Sequence, residues 1–370
     1  MEASLAMSAY EIAIIGGGPA GTSAATTAAR LGARVLLLER SRLPRHKVCG
    51  EFISAESLGL LRALLDGTPG SLLLADAPRM HTARIFLDGA VLQAPLPAPA
   101  ASIERYALDI ALWRAAECAG ADARMKVAVE KITRSNQHWR LRTTGGDFDA
   151  SCVVDATGRW SNLRPAIMPV RYFAGVKAHF ETTVAEPDTV DLYFWRGGYC
   201  GVSRVNRNEV NVCALIDSSA LRRGGKQPLQ HIFDSHADLR HRSLPWRQST
   251  DVVITSPLLF RGLIPQSDGV VRAGDAAGFI DPFTGDGISL ALRTGALAAE
   301  CLCCVWQDGC AVEAAARDYA TTYSRQFAKL FRRTALLRRA LAIPGLLHAA
   351  RWGIIRREML DFLIKATRAA

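Results

Sequence analysis

Gly16-Gly17-Gly18-Pro19-Ala20-Gly21 sets glycines at the three fixed positions of a G-x-G-x-x-G string. In such a string the first glycine makes a tight turn, the second lets a pyrophosphate approach the backbone, and the third lets helix and strand pack closely. A helix starting at Pro19 would aim its free N–H groups and partial positive charge at the phosphates. Glu39 closes the next apolar run and can accept bonds from a ribose hydroxyl. These residues together predict a dinucleotide site. A second block runs from Gly274-Asp275 to Asp281-Pro282-Phe283-Thr284-Gly285-Asp286-Gly287-Ile288 and supplies an acid and another helix N-terminus near Gly287. A hydride carrier such as NAD needs no second anion site, whereas a reduced flavin carries negative charge near N1. Cys49 lies in a loop with Arg45, His46 and Lys47, a cationic setting that favours a thiolate. It reads either as a group at a reacting centre or as a small residue filling the loop, and His46 reads as a surface loop residue.

The elements that must position these groups follow from local pattern. Tyr10–Ile15 is a short apolar run entering the glycines, residues 19–31 are rich in small helix formers, and Val35–Leu38 is a second apolar run. Strand, glycine turn, helix and strand make a βαβ unit of a parallel sheet. Residues 137–144 alternate like a strand, and Gly145-Gly146 predicts a hairpin turn into 147–155. Residues 173–259 interleave aromatic and polar residues in a β-rich stretch, and the chain beyond Ala273 reads as glycine turn and helix. The order predicts a discontinuous nucleotide domain with a second domain inserted in it.

The combination of Gly16–Gly21, Glu39, Arg105 with Asp109, and Gly274–Ile288 resembles the FAD-dependent fold of aromatic hydroxylases and geranylgeranyl reductases. Lys47-Val48-Cys49-Gly50-Glu51 resembles the Cys-Gly-Glu segment of the geranylgeranyl-reductase-like branch. The resemblance covers about residues 10–300. It implies an α/β architecture: a Rossmann-type FAD-binding domain, an inserted β-rich substrate domain and a helical C-terminal segment. Residues 1–75, 101–165 and 262–310 would form the FAD-binding domain, 76–100 and 166–261 the substrate domain, and 311–370 the basic helical segment.

Carried onto this chain, the resemblance gives FAD the residues Gly16, Gly18, Pro19, Ala20 and Gly21, with Glu39 on the adenosine ribose and Arg40 against the adenine. Backbone at Val127 would meet the adenine, Arg105 the pyrophosphate or ribityl region, and Asp275 a ribityl hydroxyl. Cys49 and Gly50 would lie beside the isoalloxazine, Pro282 near N5, and Gly285, Gly287 and Ile288 at the pyrimidine end. Cys49, Tyr199 and Pro282 are the candidates for the reacting face, with no catalytic residue assigned. Tyr193, Trp195, Tyr199 and Asn211 would line the substrate cavity; without the resemblance they read as half-buried strand residues. One departure stands out. Thr157 occupies a position where the family carries an Asp associated with cofactor and nicotinamide handling, although Gly158, Ser161 and Arg164 fit. NAD(P)H or another donor would supply the electrons. Flavin halogenases share the fold but carry a paired-Trp motif, and the matching region here has Trp195 alone.

These features imply reduction of a C=C bond of an isoprenoid-like or polyketide-like substrate by hydride from flavin N5. The alternatives are a monooxygenase hydroxylating an aromatic ring and a non-catalytic flavin-binding protein at a membrane.

Composition bounds the rest. Over 370 residues the chain is 49% hydrophobic and 22% charged with a net charge of +10, an ordinary globular balance that excludes a disordered or collagen-like protein. Eleven Lys and Arg against Glu358 and Asp361 place +9 of that charge in residues 325–370. A nearly neutral body does not indicate nucleic acid. On a helical wheel Phe327, Leu330, Phe331, Leu337 and Leu341 share one face and Arg325, Lys329, Arg332, Arg333 and Arg339 the other. That pattern fits either peripheral contact with anionic lipid through residues 325–370 or a helical layer packed on the body. Nine scattered cysteines fit reduced thiols in a cytoplasmic protein, and Cys301-Leu302-Cys303-Cys304 lacks the second pair of a zinc site, so no metal is expected. No secretory signal and no transmembrane helix are expected.

Overall fold

The computed structural model describes residues 10–341 except 88, 136–137, 160–162, 164–171, 226 and 261–262. A mostly parallel sheet runs Gln266–Ser267, Val270–Arg272, Gly146–Asp155, Tyr10–Ile15, Val35–Glu39, Asp122–Met125. Ile12 pairs with Val35 and Cys152, and Ile15 with Leu38 and Asp155. All five residues of Val35–Glu39 are buried, as expected of a parallel strand covered on both faces. The predicted hairpin forms between His138–Thr143 and Gly146–Asp155.

The first helix, Pro19–Arg30, crosses Gly287–Gln307 closely, and the Ser23 hydroxyl donates to the Leu292 carbonyl at 2.7 Å. By length and mean hydropathy of 1.6, Gly287–Gln307 is able to cross a bilayer. Its apolar residues are instead taken up by the core, where Leu290, Leu297, Ala298 and Leu302 pack with Ala20, Ala24 and Ala28. The next helix, Val312–Leu341, buries Tyr319, Tyr323, Phe327 and Leu330 and turns Arg325, Lys329, Arg332, Arg333 and Arg339 outward. Tyr319 Oη ties it to the sheet by donating to the Arg272 carbonyl at 2.6 Å. The part of the basic tail beyond Leu341 lies outside the described residues.

The second sheet has nine strands, in the order Arg247–Gln248, Phe173–Glu181, Glu209–Asp217, Gly198–Arg204, Thr189–Trp195, Arg79–Leu87, Ala90–Ser102, Phe52–Ile53, with Val253–Leu258 beside Phe173–Glu181. It is antiparallel except where Thr189–Trp195 runs with Arg79–Leu87. This sheet takes Phe52–Ile53 from the range expected in the FAD-binding domain, and its strand Ala90–Ser102 ends at Ser102 rather than at residue 100. Helices Ser218–Gly224, Pro228–Asp234 and Ala237–Ser243 follow, and Leu229, Ile232, Phe233 and Leu239 pack on one face of the sheet. The other face looks into the space between the two sheets. Cys304 is joined to Cys310 by a disulfide, which corrects the expectation that all thiols are reduced. The chain leaves its helix after Gln307 and turns back, which brings the second sulfur to the first.

Candidate functional site

The glycine turn is shaped by close backbone approaches. Gly16 has φ +109°, in the left-handed region. A methyl group on Gly21 would lie 1.8 Å from the Gly16 carbonyl oxygen, so only glycine lets helix and strand meet here. The helix after it has Pro19 at its start and no acid in its first turn, leaving its N–H groups open to an anion. Glu39 is buried where its strand ends, and its carboxylate accepts from the backbone N–H of Gly17 at 2.8 Å and of Ser41 at 2.9 Å. The carboxylate thus fixes the turn as well as facing the cavity.

Positive charge gathers around this turn. Arg105 grips Asp109 through two bonds of 2.7 and 2.8 Å, and Lys47 Nζ lies 3.3 Å from the same carboxylate. Burial alone would push the Asp109 carboxyl up; Arg105 and Lys47 outweigh it and hold the group below the usual carboxylate range. Asp109 thereby positions two cations that both line the cavity. Arg40 and Arg45 line it as well, and Arg45 Nη2 stands 3.5 Å from Glu39.

The late glycine block closes the opposite side. Asp275 is half-buried, 3.6 Å from Arg159 Nε, and burial raises its carboxyl despite that cation. Thr157 is occupied locally: its hydroxyl donates to Asp155 at 2.5 Å. Asp281 is buried and accepts from the Phe283 N–H and the Tyr199 hydroxyl, each at 3.3 Å. Burial pushes Asp281 up to about 6, against the Phe283 bond, Arg338 and Tyr199. Burial also raises the Tyr199 phenol well above its ordinary value.

Lys47, Thr157, Arg159 and Tyr199 border one cavity of about 880 Å³, and Asp109 and Asp281 hold lining residues without reaching it. Gly16, Gly18, Pro19, Ala20, Glu39, Arg40, Cys49, Gly50, Arg105 and Val127 lie along it, as do Asp275, Pro282, Gly285, Gly287 and Ile288. Gly21 stands behind the turn and shapes it without reaching the cavity. At the far end the wall is apolar, with Leu192, Phe194, Tyr199, Leu215, Leu258 and Phe283.

Three expected cavity residues fall elsewhere. Tyr193 and Trp195 alternate with Leu192 and Phe194, so they face the helix-covered side, where Tyr193 stacks on Phe86 at 4.3 Å and receives a bond from Arg242. Asn211 is buried beneath the Cys49 loop and donates to the Cys49 carbonyl at 3.0 Å, so the loop separates it from the cavity. Tyr199 does line the cavity.

A buried ionic cluster beside Cys49 escaped sequence reasoning. Glu51, fully buried with φ +57°, accepts from Lys177 Nζ, from the Arg105 N–H at 2.8 Å and pairs with His179 Nε2 at 2.8 Å. Burial would raise Glu51; the His179 bond and the Lys177 charge keep it low. Lys177 and His179 are two apart on a strand that is otherwise apolar up to its terminal Glu181, so they share a face, and that spacing was the available signal. The cluster joins the Cys49 loop to the second sheet, and Glu51 itself borders the cavity.

These residues fit FAD: a tight turn before a helix N-terminus, cations beside it, an acid where the second strand ends, and a second helix start across the cavity. The comparisons agree. The FAD dependent oxidoreductase family models match residues 11–44 and 76–300. The chain is 26% identical to menaquinone reductase of Mycobacterium tuberculosis, over 79% of this chain and 76% of that protein. It is 29% identical to digeranylgeranylglycerophospholipid reductase of Methanoculleus marisnigri, over 82% and 79%. It is also 26% identical to conditioned medium factor receptor 1 of Dictyostelium discoideum over 79% of this chain, of whose length it spans 62%. Among solved structures, the fold matches a geranylgeranyl bacteriochlorophyll reductase-like protein of Thermoplasma acidophilum (TM-score 0.73, 22% identity, 97% and 91% covered). It also matches the myxobacterial chondrochloren halogenase (TM-score 0.75, 20% identity, 97% and 96% covered). The glycine turn, the paired cations and the late glycine block have the chemistry an FAD cleft requires, and the chain belongs to the FAD dependent oxidoreductase family.

Proposed function

We propose that this oxidoreductase reduces a C=C bond of an isoprenoid-like or polyketide-like substrate. The observation that carries the reading is the single cavity that joins the FAD cleft to a wall of Leu192, Phe194, Leu215, Leu258 and Phe283. Such a wall offers an apolar chain burial and few polar groups to hold a hydrophilic one. Two relatives carry names of reductases of menaquinone and of digeranylgeranylglycerophospholipid, both polyprenyl-bearing molecules.

FAD supplies hydride at N5 when bound and reduced. The chain's own residues do the rest. The glycine turn, Lys47 and Arg105 hold the pyrophosphate, Glu39 the ribose and Asp275 a ribityl hydroxyl. The N-terminus of Gly287–Gln307 favours the negative charge of a reduced flavin. The apolar wall excludes water and orients the chain. NAD(P)H or another donor supplies electrons. The outward row Arg325, Lys329, Arg332, Arg333 and Arg339 supports peripheral contact at an anionic membrane.

The test is anaerobic single turnover of the photoreduced enzyme with geranylgeraniol and with menaquinone, read by mass spectrometry. A product formed without oxygen that gains two hydrogens at a C=C of the prenyl chain, located by fragmentation and kept after any quinol is reoxidised in air, supports the reading. Product formed only in air, carrying an added oxygen atom, overturns it in favour of an aromatic monooxygenase.

A further inference from the structure

We propose that the last turns of helix Val312–Leu341 set the length of the chain the cavity accepts, with Leu337 and Ala340 as the stop and Arg338 as the residue that positions them. The inference rests on the reading of the cavity as a site for a hydrophobic substrate. It adds a determinant that lies outside both sheets.

Leu337 and Ala340 are three residues apart on one helix face, and both border the cavity. Neither offers a polar atom, so an apolar chain reaching them meets methyl groups and stops by contact alone. Arg338 lies between them in sequence and reaches back to the aromatic end. Its guanidinium carbon stands 4.0 Å over the Phe260 ring, and its Nε is 3.9 Å from buried Asp281. Phe260 stacks on Phe279 at 5.4 Å, and Phe279 borders the cavity. Asp281 is also the acid that receives Tyr199 and Phe283, two residues of the cavity wall. One carboxylate therefore ties the helix end to the wall it completes. Earlier on the helix, Phe331 fits against Gly278, where an added Cβ would lie 3.1 Å from its ring. These contacts locate the helix end relative to the cavity.

Steric stops discriminate by what they leave outside. At roughly 0.8 kcal/mol per buried CH₂, an isoprene unit forced out of the cavity costs at least about tenfold in affinity. Filling the space at Ala340 should shorten the accepted chain, and trimming Leu337 should lengthen it.

The experiment titrates the FAD-loaded full chain with geraniol, farnesol and geranylgeraniol, reading the change in flavin fluorescence. Ala340→Trp is expected to weaken geranylgeraniol at least about tenfold while leaving geraniol near its wild-type affinity. Ala340→Leu, with a smaller addition, shows the same order at lower amplitude, and retained FAD reports that the fold is intact. Arg338→Met should lower the ratio between geranylgeraniol and geraniol affinities, with Arg338→Lys restoring part of it. If wild type binds the series and Ala340→Trp and Ala340→Leu weaken all three alcohols alike or not at all, the stop is wrong and the cavity reading stands. If wild type binds none of the three, both readings fall.

Discussion

The two ends of the cavity are built by different means. At the cofactor end the shape comes from backbone: Gly16 in a left-handed turn, Gly21 under its carbonyl, and a helix N-terminus aimed inward. At the substrate end it comes from side chains on strands and one helix, held by contacts between residues far apart in sequence, such as Tyr199 with Asp281 and Arg338 with Phe260. A backbone-built site tolerates almost no substitution at its few fixed positions. A side-chain-built site can be reshaped one residue at a time, which is how one flavin fold serves many substrates.

The largest effect should come from the cofactor end. Gly21→Ala puts a methyl group 1.8 Å from the Gly16 carbonyl oxygen, and neither is the end of a flexible side chain. The helix must move away from the turn, taking its N–H groups from the phosphates. FAD affinity is expected to fall by about a thousandfold, roughly 4 kcal/mol, measured as flavin absorbance retained after gel filtration. A variant that elutes yellow at full occupancy would break the contrast between the two ends.

Glu51 tests the seam between them. It comes from the loop on the cofactor side and holds Lys177 and His179 of the second sheet. Glu51→Gln leaves a buried ammonium without its counter-charge, at a cost of about 3–5 kcal/mol in denaturant unfolding. The double variant Glu51→Gln, Lys177→Met removes both charges and should recover most of that loss. If the single variant shifts stability by less than about 1 kcal/mol, the cluster does not hold the seam.

What was legible in the sequence follows the same division. The glycine turn, Glu39 and the late glycine block could be placed because backbone geometry restricts which residues fit, so spacing alone carries the information. Tyr193 and Trp195 could not be separated from Leu192 and Phe194, because both faces of that strand end in large aromatic or aliphatic residues. Which face is inward depends on the helices Ser218–Gly224 to Ala237–Ser243 covering the other side. Lys177 and His179 advertise a shared polar face, but their partner Glu51 is 126 residues from Lys177, and no local pattern encodes that. The disulfide has no local signature, because the Cys301 to Cys304 spacing lies within one helix whereas Cys304 reaches past the helix end to Cys310.

Asp281 carries a pH dependence to the substrate end. Burial raises its carboxyl to about 6, above the ordinary value of 3.8, so the folded protein holds this proton more tightly than the unfolded chain. The stabilisation is complete below about pH 4 and is lost as pH rises through about 6. A shift of about two units corresponds to roughly 3 kcal/mol. Asp281→Asn keeps an oxygen for Phe283 and Tyr199 but has no proton to lose. Its stability relative to wild type should therefore rise between about pH 4 and pH 7 by up to that amount, read from urea midpoints across the range. A constant difference over that window would mean that Asp281 is not carrying a raised carboxyl.

The smallest effect on stability should be at Arg338, and its smallness is informative. The side chain is 36% exposed, its distance to Asp281 is 3.9 Å, and the Phe260 ring takes the rest of its contact. Partly exposed ion pairs and cation–π contacts each contribute up to about 1 kcal/mol. Arg338→Met keeps an apolar stem against Phe260 and loses only the charge, so unfolding should shift by less than about 1 kcal/mol. A residue so weakly coupled to global stability can still fix where a helix end sits, because position needs only a preference over nearby alternatives. A loss of several kcal/mol would make Arg338 part of the core, and the substrate end would then be as rigidly specified as the glycine turn. A small loss keeps the two ends distinct, one fixed by backbone that cannot move and the other by side chains that can be exchanged.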